Sequence, residues 1–302
     1  MNNSKFRSGY VSVSGVPNAG KSTLINRILG TKLLAVSDKP QTTRNKILGI
    51  FNIKDAQILF LDTPGWHDID KDINQFYVKE AMSACNDADV IVYLFDSAKI
   101  EQKGLKLDDS FVDAITKAGL KEKVLPIISK VDMVDSKVAE ELAKRLKGRY
   151  GFKEDLLLLS SEKSIGVQEL MARIKERLPE GPAYYPQDEL TDRNMRFLCS
   201  EIIREKIFLL TKEEIPYAVA VLVMNYEEKE TLHKISAEIY VERDSQKGII
   251  IGNSGEMIKR IGTEARKDIE TLVESKVFLE LFVKVKKNWT KDEFFLKELG
   301  YK

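Results

Sequence analysis

The octet "GVPNAGKS", Gly15–Ser22, has the spacing G-x-x-x-x-G-K-[ST]. It follows an apolar run, "YVSVSG", and opens a helical pattern, "KSTLINRILG", the context a phosphate-binding loop needs. Gly15 and Gly20 let main-chain N–H groups close round phosphate oxygens, and the helix start adds the positive end of its dipole. Lys21 is suited to reach the β- and γ-phosphates of a nucleotide, and the Ser22 hydroxyl to ligate Mg²⁺. "DTPG", Asp62–Gly65, ends another apolar run. Its Asp can hold the same Mg²⁺ through water, and the Gly65 N–H can meet the γ-phosphate. Alone, each segment also reads as an ordinary turn; on neighbouring strands they read as one site.

"SKVD", Ser129–Asp132, bears on the base. The Asp132 carboxylate can accept from the ring N–H and exocyclic amine of guanine, donors that adenine lacks there, and such pairing rejects the analogue strongly. The Lys130 stem can lie across the base plane. "LSSEKS" follows the last apolar run, and main-chain N–H groups at Ser160 and Ser161 can meet the guanine carbonyl.

The elements behind these residues are short apolar runs alternating with helical patterns: "YVSVSG", "AQILFLDTPG", "DVIVYLFD", "KVLPIISKVD" and "LLLLSSEKS", with helices such as "VAEELAKRLKGRY" between them. Near-continuous apolar runs are strands buried on both faces, so the pattern predicts an α/β fold with a mostly parallel sheet. "NKILGIFNIKDAQILFLD" predicts an antiparallel edge hairpin turning at Lys54-Asp55. Gly15, Asp62, Asp132 and Ser160 follow strand ends, where open α/β sheets bind ligands.

Three of the eight prolines fall in "LPEGPAYYPQDE", a stretch that cannot continue a helix or central strand and predicts a linker. Beyond it the order changes to α-β-β-α-α-β. "NMRFLCSEIIREKIFLLT" is helical, "IPYAVAVLVMNYEE" and "LHKISAEIYVERD" are strands, and "KVFLELFVKVKK" closes the unit as a strand. Between them "KGIIIGNSGEMIKR" places a second Gly-rich loop before a long helix with Met257, Ile261, Ala265, Ile269 and Leu272 at helical spacing. This loop has no P-loop lysine and no GxGxxG spacing, which speaks against a second nucleotide.

A chain of 302 residues, 43% hydrophobic and 31% charged, fits about two globular domains. The net charge of +1 gives no bulk attraction to nucleic acid or membrane, so such binding needs a local patch. The two cysteines, Cys85 and Cys199, have no metal spacing and read as reduced thiols; His67 and His233 show no partner spacing either. No signal core or membrane-length apolar run is present, which predicts a cytoplasmic protein. Lys284 and Lys286 share one strand face, and Tyr184 and Tyr185 sit in the linker, where packing is the expectation.

The nucleotide motifs resemble those of translation-factor-class GTPases, across the whole N-terminal half. That family reads N-K-x-D where this chain has Ser129, a shorter hydrogen-bonding group. The resemblance makes "KPQTTR", Lys39–Arg44, the first switch loop, with Thr43 completing the Mg²⁺ shell and Thr42 its rival. Ras-like relatives place Gln where this chain has Trp66, and an indole cannot orient water, so slow intrinsic hydrolysis is expected. Relatives with Asn at position 18 often take a K⁺ ion beside the phosphates; an Asn that only shapes the loop is the other reading. The implied nucleotide site is Gly15, Val16, Pro17, Asn18, Ala19, Gly20, Lys21, Ser22 and Thr23; Asp62, Thr63, Pro64, Gly65 and Trp66; Ser129, Lys130, Val131 and Asp132; and Ser160 and Ser161. Lys21, Thr43 and Gly65 are expected to serve hydrolysis, and Ser22, Thr43 and Asp62 to hold Mg²⁺.

The second half resembles a type II KH domain, an RNA-binding module whose G-x-x-G loop clamps single-stranded backbone. Lys247, Gly248, Gly252, Asn253, Ser254, Gly255, Lys259 and Arg260 are its candidate RNA contacts. A GTPase half at 1–178, a linker at 179–189 and a KH half at 190–302, with "PQTTR" and "DTPGWH", closely resemble the Era GTPase family. That resemblance implies GTP hydrolysis coupled to binding 16S rRNA near its 3′ end during small-subunit assembly, a monomer, no DNA partner and peripheral contact with the inner face of the cell membrane. The alternatives are an ATP-dependent enzyme, against which Asp132 argues, and a GTP switch whose KH-like half contacts only protein.

Overall fold

The computed structural model describes residues 6–37, 47–63, 65–66 and 72–299, apart from the side chains of 72–77. The chain forms two compact units, Met1–Gly30 with Lys46–Asp192, and Thr31–Asn45 with Arg193–Lys302. The first unit therefore runs past the proline-rich stretch, and the residues leaving its first helix group with the second unit.

In the first unit, strands β1 (Arg7–Gly15), β2 (Ile47–Ile53), β3 (Ala56–Asp62), β4 (Val90–Asp96), β5 (Val124–Ser129) and β6 (Leu157–Leu158) form one sheet in the order β2-β3-β1-β4-β5-β6. Only the β2–β3 edge hairpin is antiparallel. Every residue of β3, β4 and β5 is buried, as strands covered by helices on both faces must be. The helices are α1 (Lys21–Leu29), α2 (Asp72–Asp87), α3 (Ser97–Lys103), α4 (Asp109–Lys117), α5 (Ser136–Tyr150) and α6 (Val167–Arg177). Register brings the strand ends to one rim: Asp62 pairs with Val13, Gly15 with Leu94, and Asp96 with Ser129. The run "LLLLSS" yields only a two-residue strand, because Ser160 turns into a bridge with Ile165.

The proline-rich stretch lies along this unit. Ser8 N–H donates to Pro179 O at 3.1 Å and Ile50 N–H to Leu190 O at 2.8 Å. Buried Gln57 accepts from the N–H groups of Tyr184 and Tyr185 and donates to Tyr185 O. The Tyr184 ring packs 5.4 Å from Tyr10, so these tyrosines serve the linker's packing.

The second unit contains α7 (Met195–Leu210), β7 (Ala220–Lys229), β8 (Leu232–Val241), α8 (Asp244–Ile251), α9 (Glu256–Val273), β9 (Lys276–Val285) and a closing helix α10 (Glu293–Glu298). Its sheet runs β7-β8-β9, with β7 antiparallel and β9 parallel to β8. Ile261, Ala265 and Ile269 of α9 are buried in the core, with Met257 and Leu272 packed at its margin. Residues just past α1 join this unit through charge. Lys32 Nζ lies 2.7 Å from Asp268 Oδ2 on α9 and 2.9 Å from Glu205 Oε2 on α7, and Val36 N–H donates to Glu205 Oε1.

Cys85 and Cys199 are fully buried free thiols. Burial pushes both up, Cys199 to about 12. Among the described residues no helix is long and apolar enough to cross a membrane, and no cluster of three His, Cys, Asp or Glu could hold a metal ion.

Candidate functional site

The loop between β1 and α1 turns tightly on residues with positive φ. Gly15 has φ 155°, and a Cβ there would lie 2.7 Å from Leu94 O, so only glycine fits. Asn18 (φ 59°) and Gly20 (φ 98°) continue in the left-handed region, and Gly20 starts α1 with no side-chain cap. The first N–H groups of α1 thus have no capping side chain of their own. Lys21 is buried, and its Nζ donates to Gly15 O and Val16 O at 3.2 and 3.1 Å. Burial lowers its pKa to about 8, partly offset by Asp62. A phosphate beside Lys21 would supply the anion that this buried cation calls for. Val16 and Ala19 are buried apolar supports of the loop, and Thr23 is half-buried on α1.

At the end of β3, the Ser22 hydroxyl donates to Asp62 Oδ2 at 3.0 Å, and Asp62 is fully buried. A hydroxyl and a carboxylate converging here are hard oxygen donors and fit Mg²⁺. Gly65 packs directly on the loop: a Cβ at this position would come 2.7 Å from Pro17 Cα. The Thr63 hydroxyl faces β1, donating to Val13 O at 2.8 Å, which fixes the end of β3 against β1. Trp66 divides between loop and core. Its main-chain N–H donates to Gly15 O, but its indole packs in the aromatic core and the residue is 2% exposed. The large apolar ring is more stable there than in water, so the side chain turns into the core while the main chain stays on the phosphate loop. Thr43, its rival Thr42, the segment Lys39–Arg44, and Pro64 lie outside the described residues.

The base end is assembled from three loops. The single Ser129 Oγ–H is shared between Ala19 O at 3.0 Å and Phe95 O at 3.3 Å. Its hydroxyl therefore straps the phosphate loop to β4 and β5. Lys130 stands at φ 57°, and its Nζ donates to Asn18 O at 2.5 Å and pairs with Asp96 Oδ2 at 2.9 Å. Val131 N–H donates to Leu159 O, and Asp132 projects into solvent at the start of a short 3₁₀ turn. Ser160 is buried, its Oγ accepting from Lys163 N–H at 3.1 Å. Arg27, which motif reading missed, grips this loop from α1 through Ser161 O and Glu162 O at 2.8 and 3.0 Å.

The second Gly-rich loop, Gly252–Gly255, joins α8 to α9. Gly252 (φ 73°) lies so close to Met257 that a Cβ would come 2.7 Å from its Cβ. Asn253 and Ser254 are exposed, and α9 starts at Gly255 with no side-chain cap. Lys247, Lys259 and Arg260 flank the loop and form no ion pair among the described residues, and Gly248 is exposed on α8. Lys284 and Lys286 differ: they pair with Glu238 and Asp292. Beside the loop runs a groove of ≈ 360 Å³ between α9 and β9, lined by Ile258, Lys259, Gly262, Arg266, Phe278 and Leu281 among others. Motif reading found only Lys259 of these. The available signal was Phe278 and Phe282, large apolar residues on the polar face of β9 and about half exposed.

Residues 10–130 match the family model described as 50S ribosome-binding GTPase, and residues 214–290 match that of the KH domain. The chain is 48% identical over 303 residues to the GTPase Era of Geobacter metallireducens, covering 100% of both. The chain belongs to the Era GTPase family. The GTPase Era of Thermotoga maritima is 43% identical over 98% of each chain. A crystal structure of an Aquifex aeolicus Era variant bound to GDP and AlF4⁻ matches with TM-score 0.89 and 35% identity, over 98% of this chain and 99% of that one. A second Era structure, in complex with MgGDPNP and nucleotides 1506–1542 of 16S ribosomal RNA, matches with TM-score 0.87 and 34% identity over the same shares. As an Era-family GTPase, the chain is a GTP hydrolase working with GTP, GDP and Mg²⁺, built as a P-loop GTPase domain with a mostly parallel sheet followed by a KH domain.

Proposed function

We propose that this GTPase is a switch that binds the 3′ region of 16S rRNA through its KH domain and acts in assembly of the small ribosomal subunit. One observation carries the reading: a second helix start without a side-chain cap, at Gly255, opens beside unpaired basic residues and a groove floored by apolar side chains. Exposed N–H groups suit phosphates, and the apolar groove suits splayed bases. The related Era structure holding nucleotides 1506–1542 of 16S rRNA supports this choice of RNA.

At the nucleotide site, the N–H groups from Gly15 to Ser22 hold the phosphates and Lys21 bridges the β- and γ-phosphates. Asp132 and the Ser160–Ser161 loop read guanine. Ser22 and Asp62, with Thr43, would hold Mg²⁺, which neutralises charge building on the phosphate oxygens. Water attacks the γ-phosphate in line, the bond to the β–γ bridging oxygen breaks and GDP leaves, with the Gly65 N–H steadying the γ-phosphoryl group in transfer. The Trp66 side chain takes no part in orienting that water, which supports slow intrinsic hydrolysis. Asn18 is the candidate K⁺ ligand, and comparing rates in K⁺ and Na⁺ tests it.

The proposal places a monomer in the cytoplasm, and contact with the inner face of the cell membrane would be peripheral. GTP and RNA are linked: if GTP tightens RNA binding, RNA tightens GTP binding by the same factor. The test is titration with a 16S rRNA 3′-end oligonucleotide in GDP and in a non-hydrolysable GTP analogue. Tighter binding in the analogue is expected. Equal affinity in both states removes the switch, and no binding in either leaves a KH half that contacts protein.

A further inference from the structure

Lys99 belongs to none of the nucleotide motifs, yet it reaches the phosphate loop. It lies on α3, directly after β4, and its Nζ donates to Pro17 O. Asp96, fully buried, organises this arrangement. Asp96 Oδ1 accepts from Lys99 N–H at 3.1 Å and caps α3, while Oδ2 lies 3.9 Å from Lys99 Nζ and 2.9 Å from Lys130 Nζ. Two lysines anchored by one buried carboxylate therefore hold two consecutive carbonyls of the loop, Lys99 at Pro17 and Lys130 at Asn18. Holding a carbonyl fixes the peptide plane, and with it the direction of the next N–H.

The two residues so held have different neighbours. Asn18 is tied to Lys130 of the base motif. Pro17 is the residue that Gly65 packs against, with a Cβ at Gly65 falling 2.7 Å from Pro17 Cα. Gly65 carries the N–H expected at the γ-phosphate. We infer that Lys99 is a positioning residue for the triphosphate: it fixes the Pro17 peptide against Gly65 and so sets the γ-phosphate end of the loop. GDP does not use that end. The lysine therefore favours GTP over GDP without touching the base.

The experiment compares the full chain with Lys99→Met and Lys99→Arg. It measures affinity for GDP and for a non-hydrolysable GTP analogue, and single-turnover GTP hydrolysis. Loss of one charge-assisted hydrogen bond predicts that Lys99→Met weakens the analogue by about tenfold and leaves GDP within about twofold. Lys99→Arg, which keeps a charged donor, restores analogue binding. Intact GDP binding also reports that the variant is folded. Equal weakening of both nucleotides, or of neither, overturns the inference, the former reducing Lys99 to a general strut. Because the inference rests on the γ-phosphate lying beside Gly65, Gly65→Ala is measured in parallel. No loss of analogue affinity in Gly65→Ala overturns that placement and the inference with it. Loss in Gly65→Ala with none in Lys99→Met overturns only the role of Lys99.

Discussion

The Trp66 indole Nε1 donates to Ser110 Oγ across 3.0 Å, and its ring meets Phe111 edge-on at 5.2 Å. Phe111 in turn stacks on Tyr93. The residue after the D-x-x-G glycine is therefore a core residue of the GTPase domain. Trp66→Gln is expected to destabilise this domain by about 3 kcal/mol, the scale for emptying an aromatic core site. Basal hydrolysis should not rise. Denaturant unfolding and single-turnover hydrolysis check both; a faster Trp66→Gln enzyme would mean that the position faces the reacting water.

Below this stack, Tyr93 O–H donates to Asp108 Oδ1 at 2.7 Å, and Asp108 is fully buried. Burial raises its pKa to about 7, against the pull of the Tyr93 hydroxyl, with Asp96 and Asp109 pushing the same way as burial. Its Oδ2 has no hydrogen-bond partner among the described residues, the place for the retained proton. Folded protein then binds more protons than unfolded protein between the two pKa values. Stability falls as pH rises from about 4 to about 7 and is level above that. Asp108→Asn, neutral at every pH, should be more stable than wild type at pH 8 by about 1–3 kcal/mol, with the difference shrinking toward pH 4. Urea midpoints at both pH values measure it.

Gly252→Asp tests the KH loop in two ways. Its φ of 73° and the close approach of Met257 exclude a side chain, and the new carboxylate opposes phosphate. RNA affinity should fall about tenfold or more, a change of at least 1.4 kcal/mol. Nucleotide affinity should stay unchanged. Lys259→Ala with Arg260→Ala should flatten the salt dependence of RNA binding, by about 0.7 in log–log slope per lost phosphate contact.

The Lys32–Glu205–Asp268 cluster is a candidate link between nucleotide and RNA. Glu205 is buried, and α9 starts at the KH loop. Lys32 follows α1, the helix that carries Lys21. Lys32→Met should leave both nucleotide affinities near wild type and shrink the ratio of RNA affinities in the GTP-analogue and GDP states by about threefold, or about 0.6 kcal/mol of coupling energy. The same factor must appear in GTP affinity measured with and without RNA. An unchanged ratio in Lys32→Met removes the link.

Much of this molecule was legible in its sequence because the signals are local. Strands covered on both faces must be continuously apolar, and β3, β4 and β5 are. The phosphate loop and the KH loop are short motifs with their helices attached. The rest depends on contacts distant in the chain. Lining residues Ile258, Leu279 and Leu281 are apolar like core residues, so their alternation does not mark a groove. Helix α7 buries Glu201, Arg204, Glu205 and Lys206, charges that a periodicity argument assigns to solvent. They are tolerated because they pair, Arg204 Nε donating to Glu201 Oε1 at 2.8 Å and Lys206 meeting Asp268 at 2.5 Å. Nothing local to Trp66 says that its ring turns inward, and nothing local to Lys32 says that it belongs with α7 and α9.

The two buried cysteines have a practical corollary. A thiol held protonated and out of solvent reacts slowly with maleimides. Exposed Glu101 in the GTPase domain and Lys234 in the KH domain can each be replaced by cysteine and conjugated to dyes. The native sulfurs, at zero exposure, would stay silent. Fluorescence transfer between the dyes, read in GDP and in a GTP analogue, would then test whether nucleotide exchange changes their separation on an otherwise unaltered chain.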